Sequence, residues 1–401
     1  MLELHQTPIA MQDPQLSSPY HFCTYFDRGY LTRGLALYES LHRNCQRPFV
    51  LWILCFDDET YATLTRLQLP GIRLISQQMF EKDDERLVQV KSERSLVEYY
   101  WTCTPSLPLY ILQHAVEVDI ITYLDADLYF FNDPQPIYDE FADGSILIIG
   151  HRYAPEHAHY AATSGIYNVG MMAFRRDGNG LDCLNWWRER CLEWCYARFE
   201  HGKFGDQKYL DDWPERFAGV VELQHPGAGL APWNLANYEF KFRHQDIRVE
   251  GKPLLFFHFH RFRFVTSNLI QPLKSPYILS SGQVAAMFLL YAQALQRTAR
   301  LAQTSHQEEF LPTPSPRELR RGVLYNRYLM IQPAWLSRLL YQFATWYSAN
   351  ETFVVKGFAA YENGNWRAMR NSFLRAILRN PSLLGKPSIV ILLVKSFFRK
   401  R

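Results

Sequence analysis

The sequence predicts an α/β protein built around a largely parallel sheet, and three observations lead there. Short apolar, β-branched runs alternate with helical patterns from His21 to Ile75, as in successive βαβ units. The run Ile120-Ile121-Thr122-Tyr123-Leu124 ends in Asp125-Ala126-Asp127, and a second apolar run, Leu128 to Phe131, follows at once. The chain has 401 residues, 48% hydrophobic and 15% aromatic, so it can bury a large core and is not broadly disordered.

The elements follow in order. His21 to Tyr25 is a short strand, and Thr32 to His42 carries Leu35, Leu37, Tyr38 and Leu41 at helical spacing. Phe49 to Phe56 is a buried strand, Thr60 to Leu67 a short helix and Ile72 to Ile75 a third strand. Gln78 to Arg94 is charge-rich, a loop or an exposed helix. Leu96 to Gln113 reads as an aromatic helix interrupted at Pro105 and Pro108. Beyond the aspartates, Pro134 to Phe141 reads as a helix and Ile146 to Ile149 as a strand. His151, His157 and His159 fit no standard metal spacing, so His151 to Tyr160 reads as a loop lining an acceptor groove or as plain surface.

Ile166 to Phe174 reads as a turn and then a strand, where Gly170 permits a ligand or another backbone to come close. Leu181 to Phe199 is a helix whose tryptophans and leucines face the core. Phe204 to Leu210 opens another helix, with Asp206 either a functional group or its N-cap. Pro253 to Phe264 alternates Leu254, Phe256, His258 and His260 on one strand face. Both histidines can face a site, or one is a hydrogen-bonded core histidine. Gln283 to Ala302 is a long amphipathic helix. Residues 303–316 are polar and proline-rich and read as a linker. The expected division is a catalytic-type domain over 19–280 and a helical C-terminal region over 281–401, which includes one tetratricopeptide-like helix pair near Tyr361 to Pro381.

Side chains at i and i+2 of a strand share a face, so Asp125 and Asp127 can converge at the carboxyl end of the sheet, where open α/β sheets bind ligands. Two carboxylates there suit a hard divalent cation, Mg2+ or Mn2+, that also grips phosphates. Other classes recede. A net charge of +3, with no zinc-finger spacing and no long basic block, argues against nucleic acid. The connection Phe26-Asp27-Arg28-Gly29-Tyr30 lacks both G-x-G-x-x-G and the Walker lysine. Seven cysteines in mostly apolar contexts read as reduced thiols of a cytoplasmic protein. Residues 1–18 carry Glu3, Asp13, Pro8 and Pro14 and do not read as a signal peptide, and no run is long enough to span a bilayer. The basic, apolar end from Ile389 to Arg401 suits peripheral contact with an anionic membrane surface, or an ordinary packed helix.

Taken together, the motifs resemble the sugar-nucleotide-dependent glycosyltransferases of GT-A type, especially the family 8 group, over roughly His21 to Phe264. Asp27-Arg28-Gly29-Tyr30, the Asp125/Asp127 pair, Tyr167-Asn168-Val169-Gly170, Asp206-Gln207, Trp233-Asn234 and His258-Phe259 occur in the family's order. The resemblance implies a nucleotide-diphospho-sugar transferase fold, with a Rossmann-like mixed, mostly parallel sheet and here a C-terminal helical extension. It implies Asp125, Asp127 and His258 as ligands of Mn2+ or Mg2+. Thr24, Asp27, Tyr30, Asn168, Gly170 and Asp125 become donor contacts, and Asp206 and Gln207 the reacting centre. The family's arginine before the metal strand is missing, with Thr102 and Thr104 the possible substitutes. Its lysine after H-F is missing too, with Arg261 and Arg263 the nearest cations.

The implied function is transfer of a sugar, with retention, from a nucleoside-diphosphate donor, UDP-sugar favoured, to a glycan or lipid-linked acceptor in polysaccharide biosynthesis. The alternatives are a sugar-nucleotide or glycan-binding protein of the same fold without turnover, and a nucleotidyltransferase on a similar sheet. The latter needs a Gly-rich basic loop that Phe26 to Tyr30 does not provide.

Overall fold

The computed structural model describes residues 18–303, apart from 83, 244–245, 267–268, 274–276 and 278–281, together with 329–330, 370–371 and 374–375. The expected linker, most of the repeat-like pair and the basic C-terminal end lie outside the described residues. The chain divides into two compact units, Met1–Arg261 with Gln293–Glu309, and Phe262–Ala292 with Phe310–Arg401.

In the first unit, β1 (Tyr20–Phe26), α1 (Leu31–Asn44), β2 (Phe49–Cys55), α2 (Asp58–Leu67) and β3 (Ile72–Ser76) form two βαβ turns. The three strands pair in parallel, Tyr20 opposite Phe49 and Leu51 opposite Ile72. Asp57 ends the second strand and caps α2 by accepting from the Thr60 amide, which satisfies one of the orphan donors of the first turn. The charge-rich stretch forms α3 (Gln77–Glu81) and α4 (Glu85–Lys91). Then α5 (Leu96–His114) starts from a capping box of Ser95 and Glu98.

Contrary to the sequence expectation, α5 runs unbroken through Pro105 and Pro108. Each proline removes one helical hydrogen bond. Residues 102–109 are all buried, so packing outweighs that loss.

Next come β4 (Ile120–Leu124), β5 (Leu128–Phe130), α6 (Gln135–Phe141), β6 (Ile146–Gly150), α7 (Tyr160–Ser164), β7 (Tyr167–Arg175) and α8 (Gly178–Glu193). The strand β4 joins β1 in parallel, while β7 runs antiparallel to both β4 and β6. After α9 (Trp213–Arg216), β8 (Val220–Glu222) closes a seven-stranded sheet of order β3-β2-β1-β4-β7-β6-β8. This is the mixed, mostly parallel α/β sheet that was expected. One apolar layer covers each face of it, one containing Tyr99, Leu107, Trp187 and Trp213, the other Leu35, Leu41, Phe130 and Phe256.

Two expected elements are shorter. The helix predicted to reach Phe199 stops at Glu193, and other groups satisfy carbonyls at and just past its end. Arg94 donates to the Leu192 and Cys195 carbonyls, and the Tyr209 hydroxyl to those of Arg190 and Trp194. The strand predicted over Pro253 to Phe264 is split. After β9 (Phe240–Arg243) and β10 (Asp246–Val249) come β11 (Lys252–Pro253) and β12 (Phe256–His258). The chain then turns at Arg261, whose φ of 59° is incompatible with an extended strand. In the second unit β13 (Arg263–Thr266) pairs antiparallel with β14 (Leu269–Gln271), and Phe262 packs edge-on against Tyr291 at 5.2 Å between ring centres.

Candidate functional site

The Asp125-Ala126-Asp127 turn joins β4 to β5. The Leu128 amide donates to the Asp125 carbonyl, and the Asp125 amide donates to the Gly170 carbonyl of β7. One oxygen of Asp125 accepts from the Tyr123 hydroxyl at 2.8 Å. The strand β12 then pairs antiparallel with β5, His258 opposite Leu128, and the Phe259 amide donates to the Asp127 carbonyl. That pairing delivers His258 Nε2 to 3.0 Å from Asp127 Oδ1 and 3.6 Å from Asp125 Oδ2. The three predicted ligands therefore come together.

His260 joins them: ligand atoms of Asp127, His258 and His260 all lie within 4.8 Å of one another. Ligand atoms around a six-coordinate ion with bonds of about 2.1 Å lie roughly 3–4.2 Å apart, so small side-chain rotations would close these groups on a divalent cation. The donor set fits such an ion.

The electrostatics follow from burial. Burial alone raises the Asp127 carboxyl, but His258, hydrogen-bonded beside it, and then the charges of His260 and Arg33 hold it down at about 2. Burial raises Asp125, with His258 opposing and Asp127 adding. For His258 burial works downward, yet the two carboxylates outweigh it and its imidazole is held above the ordinary value. Burial, then the charge of His258, push His260 down to about 4.

Asp206 is buried and caps no helix, so neither its expected helix start nor its N-cap role holds. Gly205 takes a φ of 52°, and a 3-10 turn, Lys208–Asp212, follows. The indole of Trp187 donates to the Asp206 carbonyl at 2.8 Å and fixes the backbone there. Burial pushes the Asp206 carboxyl up to about 7, the Thr104 hydroxyl opposing and the Asp125 charge adding. Thr104 lies 3.0 Å from the Tyr25 hydroxyl, the Tyr25 and Tyr123 rings lie 5.7 Å apart between centres, and Tyr123 donates to Asp125. A buried row of hydroxyls from three elements thus lies beside the two carboxyl groups. Sequence reasoning singled out neither Tyr25 nor Tyr123. Of the two threonines considered, Thr104 reaches the site, whereas Thr102 donates to the Glu98 carbonyl.

The remaining predicted residues are placed as follows. Asn168 accepts from the Gly170 amide at 2.9 Å, and its Nδ2 lies 3.4 Å from His151 Nε2. Gly170 is needed for close approach: a Cβ there would sit 2.9 Å from His258 Nδ1. Gln207 donates its amide to the Ser164 carbonyl at 2.7 Å. Asp27 accepts from the Gly29 amide and the Tyr100 hydroxyl, and Tyr100 stacks on Phe56 at 4.1 Å. Tyr30 is 45% exposed. Thr24 is fully buried in β1, its hydroxyl without a hydrogen-bond partner among the described residues.

Two groups, His151 and Arg33, go beyond the sequence reading, and the Trp233-Asn234 motif that it named gains its contacts. His151, taken for loop, is buried beside Asn168, and burial followed by the His258 charge push it down to about 3. Trp233 lies edge-on to His151, His258 and His260 at 5.2, 5.4 and 5.6 Å, while Asn234 ties its own turn to the His151 and Gly229 carbonyls. Arg33 of α1 is a buried cation, its guanidinium 4.5 Å above the Tyr30 ring and its charge felt at Asp127. Arg261, expected from sequence as a substitute cation, is exposed.

Comparison with known proteins adds family membership. No family model matches the chain. It is 35% identical over 257 residues to the uncharacterised protein YfnF of Bacillus subtilis strain 168, covering 62% of this chain and 84% of YfnF. The chain belongs to the YfnF family. YfnD of the same bacterium, also uncharacterised, is 30% identical over 251 residues, with 62% of this chain and 80% of YfnD covered. Similar solved structures include the galactosyltransferase LgtC with donor and acceptor sugar analogues, at 13% identity and a TM-score of 0.41, covering 75% of this chain and 99% of LgtC. Among the described residues, no helix is long and apolar enough to cross a membrane.

Proposed function

We propose that this chain is a metal-dependent glycosyltransferase. Its donor is a UDP-sugar, its acceptor a glycan or a lipid-linked glycan, and the anomeric configuration is retained. The observation that carries this reading is the convergence of Asp125, Asp127 and His258 beside a buried Asp206, at the carboxyl ends of the central strands. A divalent cation held by these residues supplies the charge that a departing nucleoside diphosphate needs. Arg33, buried near Asp127, is the fixed cation for the diphosphate oxygens, in place of the absent arginine and lysine. Tyr30 offers its exposed ring to the base, and Asp27 an acceptor for the uracil N–H.

With burial pushing its carboxyl up to about 7, Asp206 is able both to donate and to accept hydrogen bonds near neutral pH. We assign it the holding of donor-sugar hydroxyls rather than a nucleophile's role. The favoured reaction is therefore front-face. The bond from the anomeric carbon to the diphosphate oxygen breaks, a bond to the acceptor oxygen forms on the same face, and the acceptor proton passes to the departing diphosphate. Asn168 and Gln207 position the sugar.

A thermal-shift screen of nucleoside-diphosphate sugars with Mn2+ tests the donor, and a labelled-donor hydrolysis assay tests turnover. The expected result is a metal-dependent shift with a UDP-sugar, followed by hydrolysis or transfer. Asp127→Ala should abolish both while the protein stays folded. Full activity in that variant, or in wild type with excess chelator, would sink the assignment. The seven cysteines are free, consistent with the proposed cytoplasmic location.

A further inference from the structure

We propose that His260 ligates the same cation as Asp127 and His258, and that this second imidazole makes the site prefer a transition-metal dication such as Mn2+ over Mg2+. The inference rests on the reading of Asp127 and His258 as metal ligands. Four observations carry it. First, the ligand atoms of Asp127, His258 and His260 form one cluster within 4.8 Å, and Asp125 is not a member of it. One Asp125 oxygen is instead spent on the Tyr123 hydroxyl.

Second, His260 is half-buried, and its ring nitrogens, which make no hydrogen bond to the described residues, are not among the buried unpartnered atoms, so one of them is open to an arriving ion. Third, Trp233 packs its ring edge-on to both imidazoles, at 5.4 and 5.6 Å, and the two imidazoles cross at 84° with centres 5.6 Å apart. Neither imidazole lies flat against the other. Fourth, Gly170 lets β7 press against the far edge of His258, near its Nδ1, which leaves Nε2 directed at the carboxylates.

The metal preference follows from ligand chemistry. Mg2+ takes oxygen ligands in a rigid octahedron and keeps several waters. Imidazole nitrogens suit first-row transition dications, whose affinities for nitrogen sites rise from Mn2+, the weakest of the series, towards Cu2+. Two imidazoles and one or two carboxylates form a mixed set that Mg2+ binds poorly.

The test titrates the metal-free full chain with Mn2+ and with Mg2+ by calorimetry, without nucleotide, for wild type and His260→Ala. Wild type should bind Mn2+ at least tenfold more tightly than Mg2+, and His260→Ala should lose at least tenfold in Mn2+ affinity. Pulsed electron paramagnetic resonance of bound Mn2+ should count two coordinated imidazoles in wild type and one in the variant. A single imidazole in wild type overturns the inference, even if the variant does not fold. Unchanged Mn2+ affinity in a variant whose metal-free melting matches wild type overturns it as well. UDP binding on the same samples separates the two readings. Two imidazoles with no effect of UDP leave His260 in place and sink the donor assignment. Mn2+-dependent UDP binding that ignores His260 does the reverse.

Discussion

Replacing Asp206 by Asn removes a buried carboxyl that ionises at a cost. In the folded chain burial holds this group near 7, against an ordinary value of 3.8. An unfolded Asp206 therefore releases its proton at about pH 4, while the folded one keeps it until about pH 7. Between those limits unfolding releases a proton, so rising pH favours unfolding, and the loss is complete above the folded value. The shift is about three units at about 1.4 kcal/mol each, which sets an upper bound of roughly 4 kcal/mol. An amide of the same shape carries no charge at any pH. Asp206→Asn should thus exceed wild type by only about 1 kcal/mol at pH 4.5 and by about 2–4 kcal/mol at pH 8.5. The assay is urea unfolding of both proteins at pH 4.5, 6 and 8.5, in chelator so that no cation alters the balance. A stability difference independent of pH would refute the reasoning, as would a variant weaker than wild type at pH 8.5.

Two further outcomes follow from the site. In Gly170→Ala the new methyl would sit 2.6 Å from Asn168 Oδ1 and 2.9 Å from His258 Nδ1. The variant should lose about 1–3 kcal/mol of stability and at least tenfold in Mn2+ affinity, and calorimetry showing wild-type affinity would count against the close approach. Arg33→Gln should weaken UDP binding by about tenfold or more, as expected for a charged hydrogen bond, and leave uridine affinity unchanged. Equal losses for both ligands would mean that the arginine supports the fold rather than the diphosphate.

What could be read from sequence was local. Asp125 and Asp127 were legible because an apolar strand ending in two carboxylates carries its own geometry, and β4 and β5 form as the pattern requires. Gly170 was legible as a close-approach position, though the neighbour that needs the space is a histidine side chain. Long-range pairings were not legible. Nothing near Arg33 distinguishes it from the solvated arginines of an amphipathic helix. Its burial depends on the packing of α1. The hydroxyl row draws Tyr25 from β1, Thr104 from α5 and Tyr123 from β4, and no single window contains it. The two prolines misled for the opposite reason, since local propensity spoke clearly and tertiary packing overrode it.

Those prolines have a consequence for how the site is assembled. Each costs about 3 kcal/mol of intrinsic helix propensity, so the segment Leu96–His114 is not a helix on its own. Its buried face shares an apolar layer with α8 residues such as Trp187, and that burial is what offsets the cost. Thr104, the hydroxyl that touches Asp206, sits directly before the first proline. The buried Asp206 carboxyl is therefore neighboured by a segment whose helical state depends on closure of that apolar layer. Amide exchange along Leu96–His114 should then slow in step with α8 as one cooperative block, and a partly folded chain would present Asp206 without that neighbour.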